Sequence, residues 1–207
     1  MVLGLLMGCQ SAYYATMEKL GYHKRDLLVS RVQAARDTQE DAKEQFQSAL
    51  EKFSEVVNFK GGALEDKYHQ LNTELTRSEA SAAEVHKRID AVEDVSEALF
   101  REWQGELEQY TNANLRRASA RQLKATRQRY TPLMRSMRRA EAKIEPVLSA
   151  FRDHVLFLKH NLNAQAVASL QGELTSIEAD IDALIKEMEA AIAEADAFIK
   201  ALEQANV

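Results

Sequence analysis

Apolar side chains recur along this chain in alternating steps of four and three, the spacing that lines the face of one helix meeting another. The run is cleanest from Leu64 through Tyr68, Leu71, Leu75, Ser78, Ala82, Val85, Ile89, Val92, Ser96, Leu99 and Trp103 to Glu106 and Tyr110. A less pure run precedes it: Leu28, Val32, Ala35, Gln39, Ala42, Phe46, Ala49, Phe53 and Val56. After residue 114 the seam resumes as Leu123, Thr126, Tyr130, Leu133, Met137, Ala140, Ile144, Val147, Phe151, Val155 and Leu158. A last stripe comprises Leu170, Leu174, Ile177, Ile181, Leu184, Ile185, Met188, Ile192 and Ile199. Each stripe predicts a long amphipathic helix.

Turn residues separate the stripes. Gly61-Gly62, the only Gly pair, follows Asn58-Phe59-Lys60 and predicts a left-handed helix end with a reversal into an antiparallel neighbour. At Tyr110–Asn114 either asparagine could cap a new helix. His160-Asn161-Leu162-Asn163 is a third candidate break. Three breaks give four helices; if 111–114 is helical, three longer ones result. Pro132 and Pro146 fall inside a stripe, where each removes a backbone donor and crowds the preceding turn, so bends or local breaks are expected there. The expected fold is all-α: an elongated antiparallel bundle or coiled coil of three to four long helices, kinked near Pro132 and Pro146. Residues 1–9 read as the remnant of a lipoprotein signal, and 10–207 as a single elongated helical coiled-coil domain.

Composition agrees with this picture. Only two prolines and seven glycines occur in 207 residues, and the apolar fraction of 45% excludes a disordered chain. Charge adds something new, because it is unevenly placed. The balance is −7 over residues 1–114, +9 over 115–143 and −7 over 144–207. The central block holds Arg116, Arg117, Arg121, Lys124, Arg127, Arg129, Arg135, Arg138, Arg139 and Lys143 against the lone acid Glu141. These cations surround the seam without lying on it. They could pair with the acidic helices on either side, setting register, or they could meet an anionic surface such as phospholipid headgroups or lipopolysaccharide phosphates.

Met1–Cys9 is apolar and ends in Leu6-Met7-Gly8-Cys9, the pattern of a lipobox whose cysteine receives diacylglycerol. Cys9 is the only cysteine, so no disulfide competes for it. Only eight residues precede it and none is basic, short of a full signal peptide, which leads to the expectation of a longer natural leader. The stretch is too short to span a bilayer. Tyr13, Tyr14, Met17, Leu20 and Tyr22, followed by Lys24 and Arg25, suit either a membrane interface or an ordinary helix start.

No cluster carries recognisable catalytic chemistry. The histidines (His23, His69, His86, His154, His160) include no i, i+4 pair, and there is no HExxH, phosphate loop or nucleophile elbow. Carboxylate pairs such as Asp180 with Asp182, or Glu187 with Glu189, fit a solvated helix face. The expectation is a chain with no catalytic residues, metal or cofactor.

Cys9-Gln-Ser-Ala-Tyr-Tyr, Glu18-Lys-Leu-Gly-Tyr-His-Lys-Arg-Asp, Arg88-Ile-Asp-Ala-Val-Glu-Asp-Val and Leu158-Lys-His-Asn-Leu-Asn-Ala-Gln-Ala resemble a family of Gram-negative lipoproteins known as domain of unknown function 2959. The resemblance extends from Cys9 to about Leu202 and implies export, lipidation at Cys9 and an all-helical body. It implies no activity. Gln10, in place of the aspartate of inner-membrane retention, favours the outer membrane. The expected protein is therefore a non-enzymatic, periplasm-facing envelope lipoprotein, a scaffold or membrane-surface binder that could curve membranes as a crescent dimer. A homodimer or an envelope protein is a further candidate partner, which would make the chain a docking module; an enzyme or its regulator is the weaker alternative. Nucleic acid is disfavoured, because an exported lipoprotein does not meet it.

Overall fold

The computed structural model describes residues 24–59, 61 and 63–204, and all its regular structure is helical. Helix α1 spans Lys24–Val57, α2 Leu64–Glu106, α3 Ala113–His160 and α4 Ala164–Gln204. At about 1.5 Å per residue the rods are about 50–70 Å long. Each helix packs on two others in the ring α1–α2–α3–α4, with α4 closing back on α1. All neighbours are antiparallel. Lys24 bonds Glu102 at 2.9 Å near one end of the α1–α2 pair, and Lys67 bonds Glu55 at 2.8 Å near the other. Arg36 meets Asp196 across α1–α4 at 2.8 Å, and the Trp103 indole N–H donates to the Ser119 hydroxyl across α2–α3 at 2.8 Å. Lys24, the α2–α3 turn and Gln204 thus share one end, here called proximal. The α1–α2 and α3–α4 turns form the distal end.

The expected seams are largely buried, but that of α2 ends early: Glu106 and Tyr110 are exposed, and Leu107 is buried in their place. All nine predicted α1 positions, Leu28 to Val56, are buried, as are Leu71, Leu75, Val85, Ile89, Val92 and Leu99 of α2. One continuous core runs through the four helices, and Phe53 of α1 reaches Phe151 of α3 across it, with ring centroids 5.9 Å apart. The buried stripes are wider than the two-position seam, because each helix covers two neighbours. Val95 and Phe100 join the core from α2, and Leu148 from α3. In α4 the stripe departs from the expected register: Ala191, Ala195 and Phe198 are buried, whereas Ile192 is only half-buried. From Met188 the buried stripe runs through the small residues Ala191 and Ala195, and the bulkier Ile192 sits to one side.

The polar seam positions of α2, unlike Gln39 of α1, are satisfied by their neighbours. Ser78 donates to the Glu74 carbonyl at 2.8 Å, and Ser96 bonds the Tyr130 hydroxyl at 2.6 Å. The buried Glu74 carboxylate accepts from Gln45 at 2.8 Å and from Arg77 at 2.9 Å.

The chain has three breaks and four helices, so Tyr110–Asn112 is not helical. Asn112 is the cap: its side-chain oxygen accepts from the backbone N–H groups of Asn114 at 2.9 Å and Leu115 at 3.2 Å. Asn163 does the same for α4, accepting from Ala166 at 3.0 Å. Two expectations need correction. Helix α1 ends at Val57, four residues before Gly61, so glycine is not its cap. Instead the Asn58 side chain and backbone N–H both donate to the Ser54 carbonyl, at 2.9 and 3.0 Å. Gly61 makes the reversal, with φ +151°, a conformation that L side chains rarely adopt. The prolines do not break α3, which is continuous from Ala113 to His160 across Pro132 and Pro146.

Candidate anionic-surface site on helix α3

Because α3 is unbroken, all ten basic residues of the central block lie on one helix. Steps of 100° per residue put Arg117, Arg121, Lys124 and Arg135 in a stripe opposite the buried Leu123, Leu133 and Met137. All four are exposed.

The structure divides the ten residues into two groups. Toward the middle of the helix, Arg138 is held between helices. It donates to Asp90 at 2.8 Å, to Glu141 at 2.9 Å and to Glu93. Partial burial works against its charge, but hydrogen bonds to Glu141, Asp90 and Glu93 outweigh this and raise its pKa above the ordinary guanidinium value. Arg139 meets Glu187 of α4 at 3.3 Å. His86 completes this cluster, bonding Glu141 and lying 3.3 Å from Asp90. The Glu141 hydrogen bond, then the charges of Asp90 and Glu141, raise the His86 pKa.

Toward the proximal end no carboxylate among the described residues neutralises the cations. Arg117 donates to the neutral Asn114 side chain at 2.6 Å. Arg127 donates to the Phe100 carbonyl at 3.2 Å, with its guanidinium 5.3 Å from the Phe100 ring centroid. Arg116, Arg121, Lys124, Arg129 and Arg135 make no side-chain hydrogen bond or ion pair among the described residues, and neither does Lys143, which lies past Arg139 on the distal side. The first turn of α3 contains no acid. Arg116 and Arg117 therefore lie near the positive end of the helix dipole, where cations are disfavoured by about 0.3–1 kcal/mol each. Their placement is unfavourable for α3 itself. Two apolar side chains, Tyr110 and Leu115, are exposed beside them.

Sequence reasoning weighed internal pairing against an external anion for the block as a whole. It missed that Arg138 and the free arginines differ. A signal was present: Asp90 and Glu93 fall in the 88–95 segment quoted above, each one position after a seam residue, Ile89 and Val92, on the flank that meets α3. The 158–166 segment is the α3–α4 turn, whose asparagines cap and close. Cys9, Gln10 and the aromatic segment 13–22 lie outside the described residues. Among the described residues no helix is long and apolar enough to cross a membrane, and no group of His, Cys, Asp or Glu is arranged to hold a metal ion.

No curated protein and no solved structure is detectably similar to the chain. A family model described as protein of unknown function (DUF2959) matches residues 13–202, from ahead of α1 to the last turn of α4. The chain that builds this four-helix ring and its partly neutralised basic helix belongs to the DUF2959 family.

Proposed function

We propose that the protein is a non-enzymatic envelope lipoprotein, anchored through Cys9 and facing the periplasm, whose bundle lays the proximal half of α3 against an anionic membrane surface. The observation that carries this reading is the set of proximal cations without a carboxylate partner among the described residues, in a chain of net charge −5 that has acids to spare. The described chain begins at Lys24, at the same end of the rod as the basic stripe. Fourteen residues separate Cys9 from Lys24, a length that reaches at most about 50 Å. A lipid at Cys9 would keep α3 within reach of the bilayer, where each Lys or Arg adds about 1 kcal/mol of attraction to anionic lipid.

Fractionation of cells and vesicle binding test the two halves. Wild-type protein is expected in the membrane fraction with a diacylglyceryl mass on Cys9, and Cys9→Ser in the soluble fraction. The full chain carrying Cys9→Ser should still sediment with phosphatidylglycerol vesicles at low salt and be released at about 0.5 M salt. Arg117→Glu, Arg121→Glu and Arg135→Glu should each weaken binding about fivefold or more. An unmodified Cys9 sinks the anchor, and no binding to any anionic vesicle sinks the surface contact.

A second reading, a docking module for another envelope protein, draws on Leu156, Phe157 and Leu162, which are exposed together near the distal end. Crosslinking in cells from a photoreactive residue at position 157 separates the two. One dominant protein adduct favours docking.

A further inference from the structure

The proximal half of α3 is more than a charged stripe, because a groove opens between it and the end of α2. The groove has a volume of about 360 Å³ and is lined by Gln104, Leu107, Leu123, Lys124, Arg127 and Gln128, among others. Its floor is apolar, since Leu107 and Leu123 are both buried core residues. Its rim carries two cations and two side-chain amides. Arg127 is fixed there by neutral partners, the Phe100 carbonyl and ring. It therefore keeps its full charge and its remaining N–H donors while losing little freedom when an anion arrives. Lys124, one turn earlier on the same side of α3, has no ion pair among the described residues.

We propose that this groove seats the phosphate monoester headgroup of an anionic lipid, with Arg127 and Lys124 on the phosphate oxygens, Gln104 and Gln128 at its edge, and the glycerol end over Leu107 and Leu123. The inference rests on the surface reading above and sharpens it, from general attraction to choice among headgroups. Charge complementarity carries it: two un-neutralised cations converge on one opening, which matches a dianionic monoester better than the single charge of a phosphodiester. The apolar floor argues for a lipid over a free anion. The surrounding Arg117, Arg121 and Arg135 supply attraction without choice.

The test uses the full chain, with vesicles of phosphatidic acid or phosphatidylglycerol in phosphatidylcholine, matched for surface charge. Wild-type protein is expected to bind the phosphatidic acid vesicles about tenfold more tightly, as one additional charge-assisted pair provides. Arg127→Gln and Lys124→Gln should each erase that preference and leave phosphatidylglycerol binding nearly intact. Lys124→Gln touches no contact of the fold, so it keeps the test sound if Arg127→Gln unfolds the α2–α3 contact. Arg121→Glu should do the opposite, weakening both and preserving the ratio. Equal affinity for the two vesicles, or a preference that survives both glutamine variants, overturns the groove while leaving the surface contact standing. Binding to neither overturns both. Loss of the preference in millimolar inorganic phosphate identifies a soluble anion as the ligand and overturns the lipid. A change in oligomeric mass in Lys124→Gln assigns the groove to a second copy of the chain and overturns it equally.

Discussion

Gln39 sits in the buried α1 stripe between Ala35 and Ala42, wholly enclosed, and neither atom of its amide has a hydrogen-bond partner among the described residues. An enclosed amide without partners costs about 1–3 kcal/mol relative to an apolar side chain of similar shape. Gln39→Met, close in length and volume, is expected to raise the unfolding free energy by about that amount in urea titrations. Unchanged stability would mean that the amide is satisfied in solution. Two histidines make opposite contributions to the dependence on pH. The His86 pKa is raised, so its contribution is fully present below the unfolded value of about 6.5 and is lost as pH rises through the folded value. Burial lowers the His154 pKa, where the ring lies 5.3 Å from that of Phe53. Its contribution is present above about 6.5 and lost as pH falls through the folded value. His86→Ala should therefore destabilise more at pH 5.5 than at pH 8, and His154→Phe should reduce the stability lost on acidification. Denaturant midpoints at the two pH values check both signs.

Helix α3 tests what its local sequence contributes. Asn112→Ala removes the acceptor for two backbone donors and should cost about 1 kcal/mol. Pro146→Ala restores a backbone donor at an exposed position inside the helix and should stabilise, by up to about 3 kcal/mol, if α3 is as continuous in solution. A lower melting temperature for Pro146→Ala would show that the chain depends on the proline's local geometry. Of the elements, the long helices and the antiparallel reversal were legible, because stripes of period 3.5 and short polar turns leave little else to form; the choice between three helices and four at 111–114 was not, because it turns on whether Asn112 caps. Ile192 was misread because periodicity weighs bulk, whereas the face that α4 buries passes through the small Ala191 and Ala195. Pro132 and Pro146 were overread as possible breaks, since burial along Leu133, Ala140, Val147 and Phe151 holds the helix through both. The basic block was visible in the charge count alone. Its division into neutralised and free residues was not, because it depends on which α2 and α4 carboxylates the bundle brings alongside, Asp90, Glu93 and Glu187.

At the scale of the whole molecule one core ties four helices together, so damage at its centre should be global. Phe53→Ala removes a fully buried ring that touches α3 from α1, and should cost about 3–5 kcal/mol. Helicity and Trp103 fluorescence should still report a single common unfolding midpoint; separate midpoints would divide the bundle into independently melting pairs. The closure of α4 on α1 also bears on how the chain is made. A ribosome delivers α1 before α4, so the face of α1 that α4 covers stays bare until that 41-residue helix has left the exit tunnel. A nascent chain interrupted at the α3–α4 turn is thus a three-legged intermediate with two sticky flanks, the form that a holding chaperone would have to shelter.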